Sequence, residues 1–354
     1  MHLDQSTAIR VKEGQHDQRK EQNVISAQLD NESAQAGSTA EGTVFRKSTG
    51  MYAVAGAGRT WNCTLSSKLR KQLVYPIADP GSIRRHVVSV EDIRMVDPIA
   101  IGDVVRFVDA GDNSGMITEV LPRKSKLVRR AAGSKPLEQV IVANVDQVLI
   151  ICAAERPAPS WELVDRYLAA AEAAALPARI CITKADLIDA ATIDAELDIY
   201  RSIGYPTHLT SAVNGLGMPE LKEALQGRLS VLAGKSGVGK TSLLNTVQPE
   251  LGLRVGEVSG QTGKGKHTTS YLEMFALDGG GSVVDTPGMR EFALWNVRNV
   301  DLATLFPDLR PYVGRCRFGL DCSHSHEPGC AMKEAVVSGK VAQRRYHSYL
   351  RMAG

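Results

Sequence analysis

No stretch of this sequence is long and apolar enough to cross a bilayer. The longest candidate, residues 140–154, is interrupted by Asn144, Asp146 and Gln147, whereas a spanning helix needs roughly 18 apolar residues in a row. No basic segment followed by an apolar one opens the chain, so no secretory leader is expected. The reading is a soluble, cytoplasmic protein with no membrane partner. Cysteine is sparse, at six in 354 residues, and in a reducing compartment so few thiols do not form a disulfide scaffold. An excess of one charge is lacking too: 42 Lys and Arg face 39 Asp and Glu, for a net +3. There is no internal repeat, which excludes solenoids and propellers. Apolar residues are not lacking. At 43% of the chain they can fill a core, which rules out wholesale disorder. The length implies two or three domains, since single cores stop growing near ~250–300 residues.

The small net charge conceals a partition. It is −2 over residues 1–40, +7 over 41–137, −6 over 138–313 and +4 over 314–354. Basic ends flanking an acidic middle point to a polyanion partner for the ends. Uneven surface charge is the plainer account of the same numbers.

Texture divides the chain in a similar way. Residues 1–40 are polar and aperiodic and are expected to be a disordered tail. Residues 41–137 alternate short β-like runs with glycine turns, as in Met51-Tyr52-Ala53-Val54 and Val104-Val105-Arg106-Phe107-Val108. This predicts an all-β barrel of the oligonucleotide-binding (OB) type. Residues 73–98, with Pro76, Pro80 and Pro98, look like an inserted loop. The run that follows carries Arg123, Lys124, Lys126, Arg129 and Arg130, and in a basic module these are candidate RNA contacts. Residues 138–295 read as α/β with a parallel sheet. Residues 139–154 are expected to be one buried strand, Ser160 to cap the next helix, and ARICIT at 178–183 to be a second strand. Residues 296–354 hold a Cys/His loop and a basic helical segment.

The strongest motif is Gly234-Lys235-Ser236-Gly237-Val238-Gly239-Lys240-Thr241, followed by Ser242. It is a complete G-x-x-x-x-G-K-[ST] phosphate loop between an apolar strand and a helix. Its backbone N–H groups would cradle phosphates. Lys240 would pair with the β- and γ-phosphates, and Thr241 would offer its hydroxyl to Mg²⁺. Asp285-Thr286-Pro287-Gly288 follows an apolar strand about 45 residues later. Asp285 is placed for Mg²⁺, through water, and Gly288 for the γ-phosphate.

Thr183-Lys184-Ala185-Asp186 matches the guanine-reading Asn-Lys-x-Asp, with Thr183 in place of Asn. A carboxylate can accept two hydrogen bonds from guanine that adenine cannot donate. Ser211-Ala212 fits the small backbone motif that touches the base oxygen. Both base readers precede the phosphate loop, the reverse of the ordinary order, which implies a circularly permuted GTPase domain. The Gly- and Lys-rich segment 260–269 is expected to be a switch, with Thr268 or Thr269 as the Mg²⁺-binding threonine. Met289 stands where many GTPases carry a water-orienting glutamine. His267 is therefore the candidate to position the attacking water.

Cys316-x5-Cys322-x-His324-x5-Cys330 supplies three thiolates and an imidazole for one closed, structural Zn²⁺ site. His326 is an alternative to His324. Cys63, Cys152 and Cys181 lie in strand-like runs and read as core residues.

Together these features resemble one family, the small-subunit-dependent, circularly permuted GTPases known as RsgA or YjeQ. The matching segments are Arg123-Lys124-Ser125, Ala143-Asn144-Val145-Asp146-Gln147, Asp165-Arg166-Tyr167-Leu168, GKSGVGKTS, KHTTS, DTPG and HEPGC. The resemblance implies an OB barrel, a permuted GTPase domain and a C-terminal zinc domain. It implies GTP hydrolysis to GDP, stimulated by the small ribosomal subunit, and binding to its rRNA, through the basic OB and zinc domains, late in maturation. It makes Cys316, Cys322, His324 and Cys330 the zinc ligands and His267 the catalytic histidine, acting with Lys240, Thr268, Thr269 and Gly288. The first cysteine spacing is one residue longer than is usual in the family. A monomer is expected. A nucleotide-controlled RNA-binding module with negligible turnover is the alternative, supported by Met289. A small-molecule P-loop kinase is opposed by Thr183–Asp186 and by the switch.

Overall fold

The structure, a computed structural model, describes residues 38–48, 50–70, 97–130, 138–253, 273–285 and 302–354. Five strands close into a barrel: β1 (Thr39–Ser48), β2 (Met51–Gly56), β3 (Arg59–Leu65), β4 (Val104–Gly111) and β5 (Ser114–Val120). The pairing runs β1-β2-β3-β5-β4 and returns to β1, with β3 and β5 parallel. Alternation decides what faces inward. Val44, Tyr52, Val54, Trp61, Cys63, Val105, Phe107 and Ile117 fill the interior. Trp61 and Phe107 lie 5.0 Å apart there, a ring pair worth about 0.5–1.5 kcal/mol beyond area burial. Thr39 and Ala40, assigned to the tail from composition, already pair with β4. A short helix, α1 (Ser67–Arg70), follows β3. Most of the expected 73–98 insertion lies outside the described residues.

The segment 139–154 is not one strand. It divides into β7 (Glu138–Ala143), which pairs with β6 (Lys126–Arg130) as a two-stranded ribbon, and β8 (Gln147–Ala153), the central strand of another sheet. The break is at Asn144, whose φ of 57° is left-handed, a conformation Asn tolerates better than most residues. Its side chain knits the junction. Nδ2 donates to Gly102 O at 2.8 Å, and Oδ1 accepts from Lys124 N at 2.9 Å. Asp146 Oδ2 accepts from Leu229 N at 2.7 Å. Gln147 is buried and donates to Ala224 O and Ser230 Oγ.

The second sheet adds β9 (Ala178–Thr183), β10 (Thr207–Leu209), β11 (Leu229–Ala233), β12 (Glu273–Ala276) and β13 (Ser282–Asp285). The order is β10-β9-β8-β11-β13-β12, parallel except for β12. A β12–β1 pairing at Arg46↔Glu273 joins it edge to edge with the barrel. Helices α2 (Trp161–Ala173), α3 (Ala191–Ser202), α4 (Met218–Leu225) and α5 (Lys240–Val247) cover its faces, as parallel strands buried on both sides require. Ser160 occupies the N-cap of α2, but its side chain makes no capping bond. Its carbonyl instead accepts from Leu163 N and Val164 N.

The C-terminal module contains α6 (Ala331–Val337) and α7 (Gln343–Ala353) around a core of Phe306, Leu309, Met332, Val341 and Tyr349. It docks on α2 through buried charge. Asp165 accepts from Arg345 at 2.8 Å, from Arg344 at 2.9 Å and from Tyr200 OH at 2.8 Å. Arg345 also grips Asp308, at 2.6 and 3.1 Å. Arg344 reaches Glu196, Arg310 pairs with Glu172 and Arg351 with Glu162. Arg344, Arg345 and Arg351 of the basic C-terminal end are therefore matched to acidic groups of the same chain, rather than left for a polyanion. Among the described residues no helix is long and apolar enough to cross a membrane.

Candidate nucleotide site and metal centre

The phosphate loop grows from buried β11. A Cβ on Gly234 would sit 2.4 Å from Ile151 O, so only glycine lets the chain turn there so close to β8. Gly237 and Gly239 have φ of 80° and 91°, the left-handed region that glycine enters freely. The turn ends at Gly239, the N-cap of α5, so the first N–H groups of the helix face the loop. Lys240 Nζ donates to Gly234 O and Lys235 O, both at 2.8 Å. The loop thus curls round its own lysine, which phosphate oxygens would draw away. Burial pushes the Lys240 ammonium below its usual range, and the Asp285 carboxylate pulls it partly back. Thr241 and Ser242 are half-buried in the first turn of α5. Asp285 ends β13 in register with Leu232 of β11, so it stands beside the strand that feeds the loop.

The segments expected to read the base approach this loop from the ends of β9 and β10, across β8. Thr183 ends β9, and its Oγ1 donates to Val238 O at 2.5 Å. The shorter side chain therefore still ties the base reader to the phosphate loop. Lys184, with φ of 57°, donates from Nζ to Gly237 O at 2.9 Å and to Arg156 O. Ser211 Oγ donates to Asp186 Oδ1 at 2.5 Å, and Ala185 N donates to Thr210 O at 3.1 Å. Thr183, Lys184, Asp186, Ser211 and Ala212 thus converge with residues 234–242 and Asp285 at one edge of the sheet. That edge lies at the carboxyl ends of the strands, where open α/β sheets bind ligands. Arg156, whose carbonyl holds Lys184, was not expected, and only its place just after β8 hints at it. His267, Thr268, Thr269 and Gly288 lie outside the described residues.

The metal-ligating atoms of Cys316, Cys322, His324 and Cys330 all lie within 4.8 Å of one another, and all four residues are buried. Cys316 Sγ is 3.8 Å from Cys330 Sγ and 3.4 Å from His324 Nδ1. Tetrahedral Zn²⁺ with Zn–S near 2.3 Å needs S···S of about 3.8 Å, so the donor set fits that ion. His326 is exposed, with Nδ1 2.9 Å from Ser325 Oγ, and is not in the cluster. Tyr346 OH donates to His324 O.

The basic stretch divides. Arg123, expected to face RNA, turns inward. Its Nε and Nη2 grip the buried Asp103 carboxylate at 2.7 Å each, and Nη2 also donates to Pro98 O at 2.8 Å. Lys124 is exposed. Lys126 pairs with Glu138 at 2.5 Å, and Arg129 donates to Gln139 at 2.9 Å, both on the surface of the β6–β7 ribbon. Arg130 ends β6 in register with Glu138.

Base readers that precede the phosphate loop in sequence but flank it in space define a circularly permuted P-loop GTPase, here preceded by a closed five-stranded barrel. The RsgA GTPase family model matches residues 120–295. The small ribosomal subunit biogenesis GTPase RsgA of Moorella thermoacetica is 39% identical over 310 residues, covering 88% of this chain and 95% of that protein. Its counterpart from Gemmatimonas aurantiaca is 43% identical over 256 residues, covering 72% and 83%. YjeQ from Thermotoga maritima superposes with a TM-score of 0.66 at 30% identity, over 89% of this chain and 98% of that one. YloQ, a circularly permuted GTPase, does so with 0.63 at 29%, over 89% and 94%. The chain belongs to the RsgA GTPase family.

Proposed function

We propose that this GTPase works on the small ribosomal subunit as a late assembly checkpoint, hydrolysing GTP to GDP when subunit rRNA is bound. The barrel and the β6–β7 ribbon are the RNA-facing parts. Lys124, Lys126, Arg129 and Arg130 meet phosphates there, while Arg123 braces the barrel from within. Thr183, Lys184, Asp186, Ser211 and Ala212 read guanine. Residues 234–242 hold the phosphates. Thr241 and Asp285, with Thr268 or Thr269, would hold Mg²⁺, which when bound offsets charge on the β- and γ-phosphate oxygens. His267 positions the attacking water, since Met289 cannot. Zn²⁺ in the Cys316/Cys322/His324/Cys330 cluster is structural. The protein acts as a cytoplasmic monomer.

One contact carries the coupling of RNA to hydrolysis. β12 follows the switch segment directly, pairs with Asp285-bearing β13 on one side, and pairs with barrel strand β1 on the other at Arg46↔Glu273. RNA gripped by the barrel therefore bears on the strand that leaves the switch. The test is GTP turnover with purified small subunits, large subunits or neither, over a salt series. Stimulation by small subunits alone, fading with salt as phosphate contacts do, is expected. Equal turnover in all three overturns the reading.

A further inference from the structure

We propose that α7 is a coupling rod through which the Asp165–Arg345 pair sets how firmly the Cys3His cluster retains its metal. The inference rests on the zinc reading of that cluster. Both attachments of the helix are visible, on adjacent residues. Arg345, 1% exposed, lies between Asp165 and Asp308, which are 0% and 4% exposed. The next residue, Tyr346, donates its hydroxyl to the backbone carbonyl of His324.

A second connection runs through rings. The Arg345 guanidinium sits 4.8 Å from the Phe306 centroid, Phe306 meets Tyr349 edge-on at 5.8 Å, and Tyr349 lies 6.0 Å from the His324 ring. His324 itself is held at φ of 61°, a left-handed conformation that a non-glycine residue keeps only when its surroundings impose it. The hydrogen bond from Tyr346 and the ring of Tyr349 supply those surroundings, and both residues belong to the helix that Arg345 anchors on α2.

Groups that orient a metal ligand from behind it govern retention, typically by 10–100-fold in affinity. Asp165 does so from a different domain, 180 residues away from Arg345 in the chain. Without the Asp165 carboxylate, Arg345 keeps only Asp308 of its own module and Arg344 keeps Glu196, so α7 loses its buried charge partner on α2 and the His324 loop loosens with it. By reciprocity, metal that orders the loop also seats α7 on α2. α2, which receives Arg345, also contributes Val164 and Tyr167 to a space lined by Lys235 and Val238 of the phosphate loop.

The experiment uses the full chain and measures zinc content, then the rate of zinc transfer to a chromophoric chelator. Asp165→Asn and Tyr346→Phe are compared with wild type. Arg351→Met serves as the control, since it breaks an exposed contact between the same two helices, α7 and α2. Circular dichroism and GDP affinity establish that each variant is folded. Transfer about tenfold or more faster in Asp165→Asn and Tyr346→Phe, with Arg351→Met unchanged, is expected. Folded variants that release zinc at the wild-type rate overturn the coupling while leaving the zinc reading intact. A wild-type chain that binds no zinc overturns the zinc reading, and the inference with it.

Discussion

Asp165 on α2 and Arg345 on α7 meet at 2.8 Å with 0% and 1% of their side chains exposed. Two charges this deep are seldom retained for stability alone, because desolvation opposes the Coulomb gain. Here each charge is saturated by further partners. Asp165 also takes bonds from Arg344 and Tyr200, and Arg345 donates to Asp308 through Nε and Nη2. Family motif Asp165-Arg166-Tyr167-Leu168 thereby acquires a physical reason, since its first residue is the socket for the C-terminal module.

Arg345→Met should accordingly destabilise the protein by about 3–5 kcal/mol, the cost of leaving a partner charge buried and unpaired. Arg351→Met breaks an ion pair whose side chains are 65% and 47% exposed, and should cost no more than about 1 kcal/mol. Urea unfolding of the two variants measures the difference. Similar losses in both would show that the buried network is not what holds the module.

Asp186→Asn should exchange guanine for xanthine. The carboxylate suits guanine because it accepts from both the ring N–H and the exocyclic amine. An amide presents a donor instead, which suits a base carrying a second carbonyl at that position. Ser211 holds the Asp186 carboxylate by one oxygen, so the replacement amide can keep the same place. Affinity for GDP should fall by about 100-fold or more, since a site built to pair polar groups discriminates strongly when they are mismatched. Competition between GDP and XDP measures the switch, and an unchanged preference for GDP would remove Asp186 from base recognition.

Much of the candidate nucleotide site was legible because its motifs are contiguous. Glycines at 234, 237 and 239 announce a backbone that must turn tightly, and Lys240 and Thr241 follow at fixed spacing. What joins the motifs was not legible. Nothing in the order of residues says that Thr183 Oγ1 reaches Val238 O, because that contact depends on β9 and β11 flanking β8. The split of residues 139–154 carried a signal in Asn144, a residue suited to left-handed φ, but apolar content on both sides of it masked the break. Charge was the least legible property. Arg344 and Arg345 count as surplus positive charge in the sum over residues 314–354, yet both are matched to Asp165, a carboxylate supplied from elsewhere in the fold.

The choice between His324 and His326 also needed geometry, since only Ser325 separates them and either spacing is acceptable to zinc. His324 Nδ1 is 3.4 and 3.5 Å from the sulfurs of Cys316 and Cys330, while His326 is turned to the surface. His324→Ala should leave three thiolates and an open position, and weaken zinc retention severely. His326→Ala should keep one zinc per chain. Zinc content by atomic absorption after dialysis against a chelator distinguishes them, and loss of zinc in His326→Ala alone would reverse the assignment.

His208 gives the fold a dependence on pH. It sits on β10 with Nε2 3.5 Å from Arg179 Nη1. Burial pushes its pKa down from the ordinary 6.5, the Arg179 guanidinium pushes the same way, and Glu220 partly opposes them. The sign follows from which state binds the proton. As pH falls through 6.5, His208 in the unfolded chain takes up a proton that the folded chain still refuses, so stability declines until the lower, folded pKa is passed. Well above 6.5 both states are neutral at this position and the group contributes no slope. One such proton can change stability by at most about 1.4 kcal/mol per pH unit. Replacing His208 with Gln should therefore flatten the fall in urea-unfolding free energy between pH 7 and pH 5 while leaving the slope above pH 7 unaltered. Subtracting the variant's profile from that of the wild type cancels the other titrating groups, and a difference profile without slope below pH 6.5 would show that Arg179 and burial do not control this histidine.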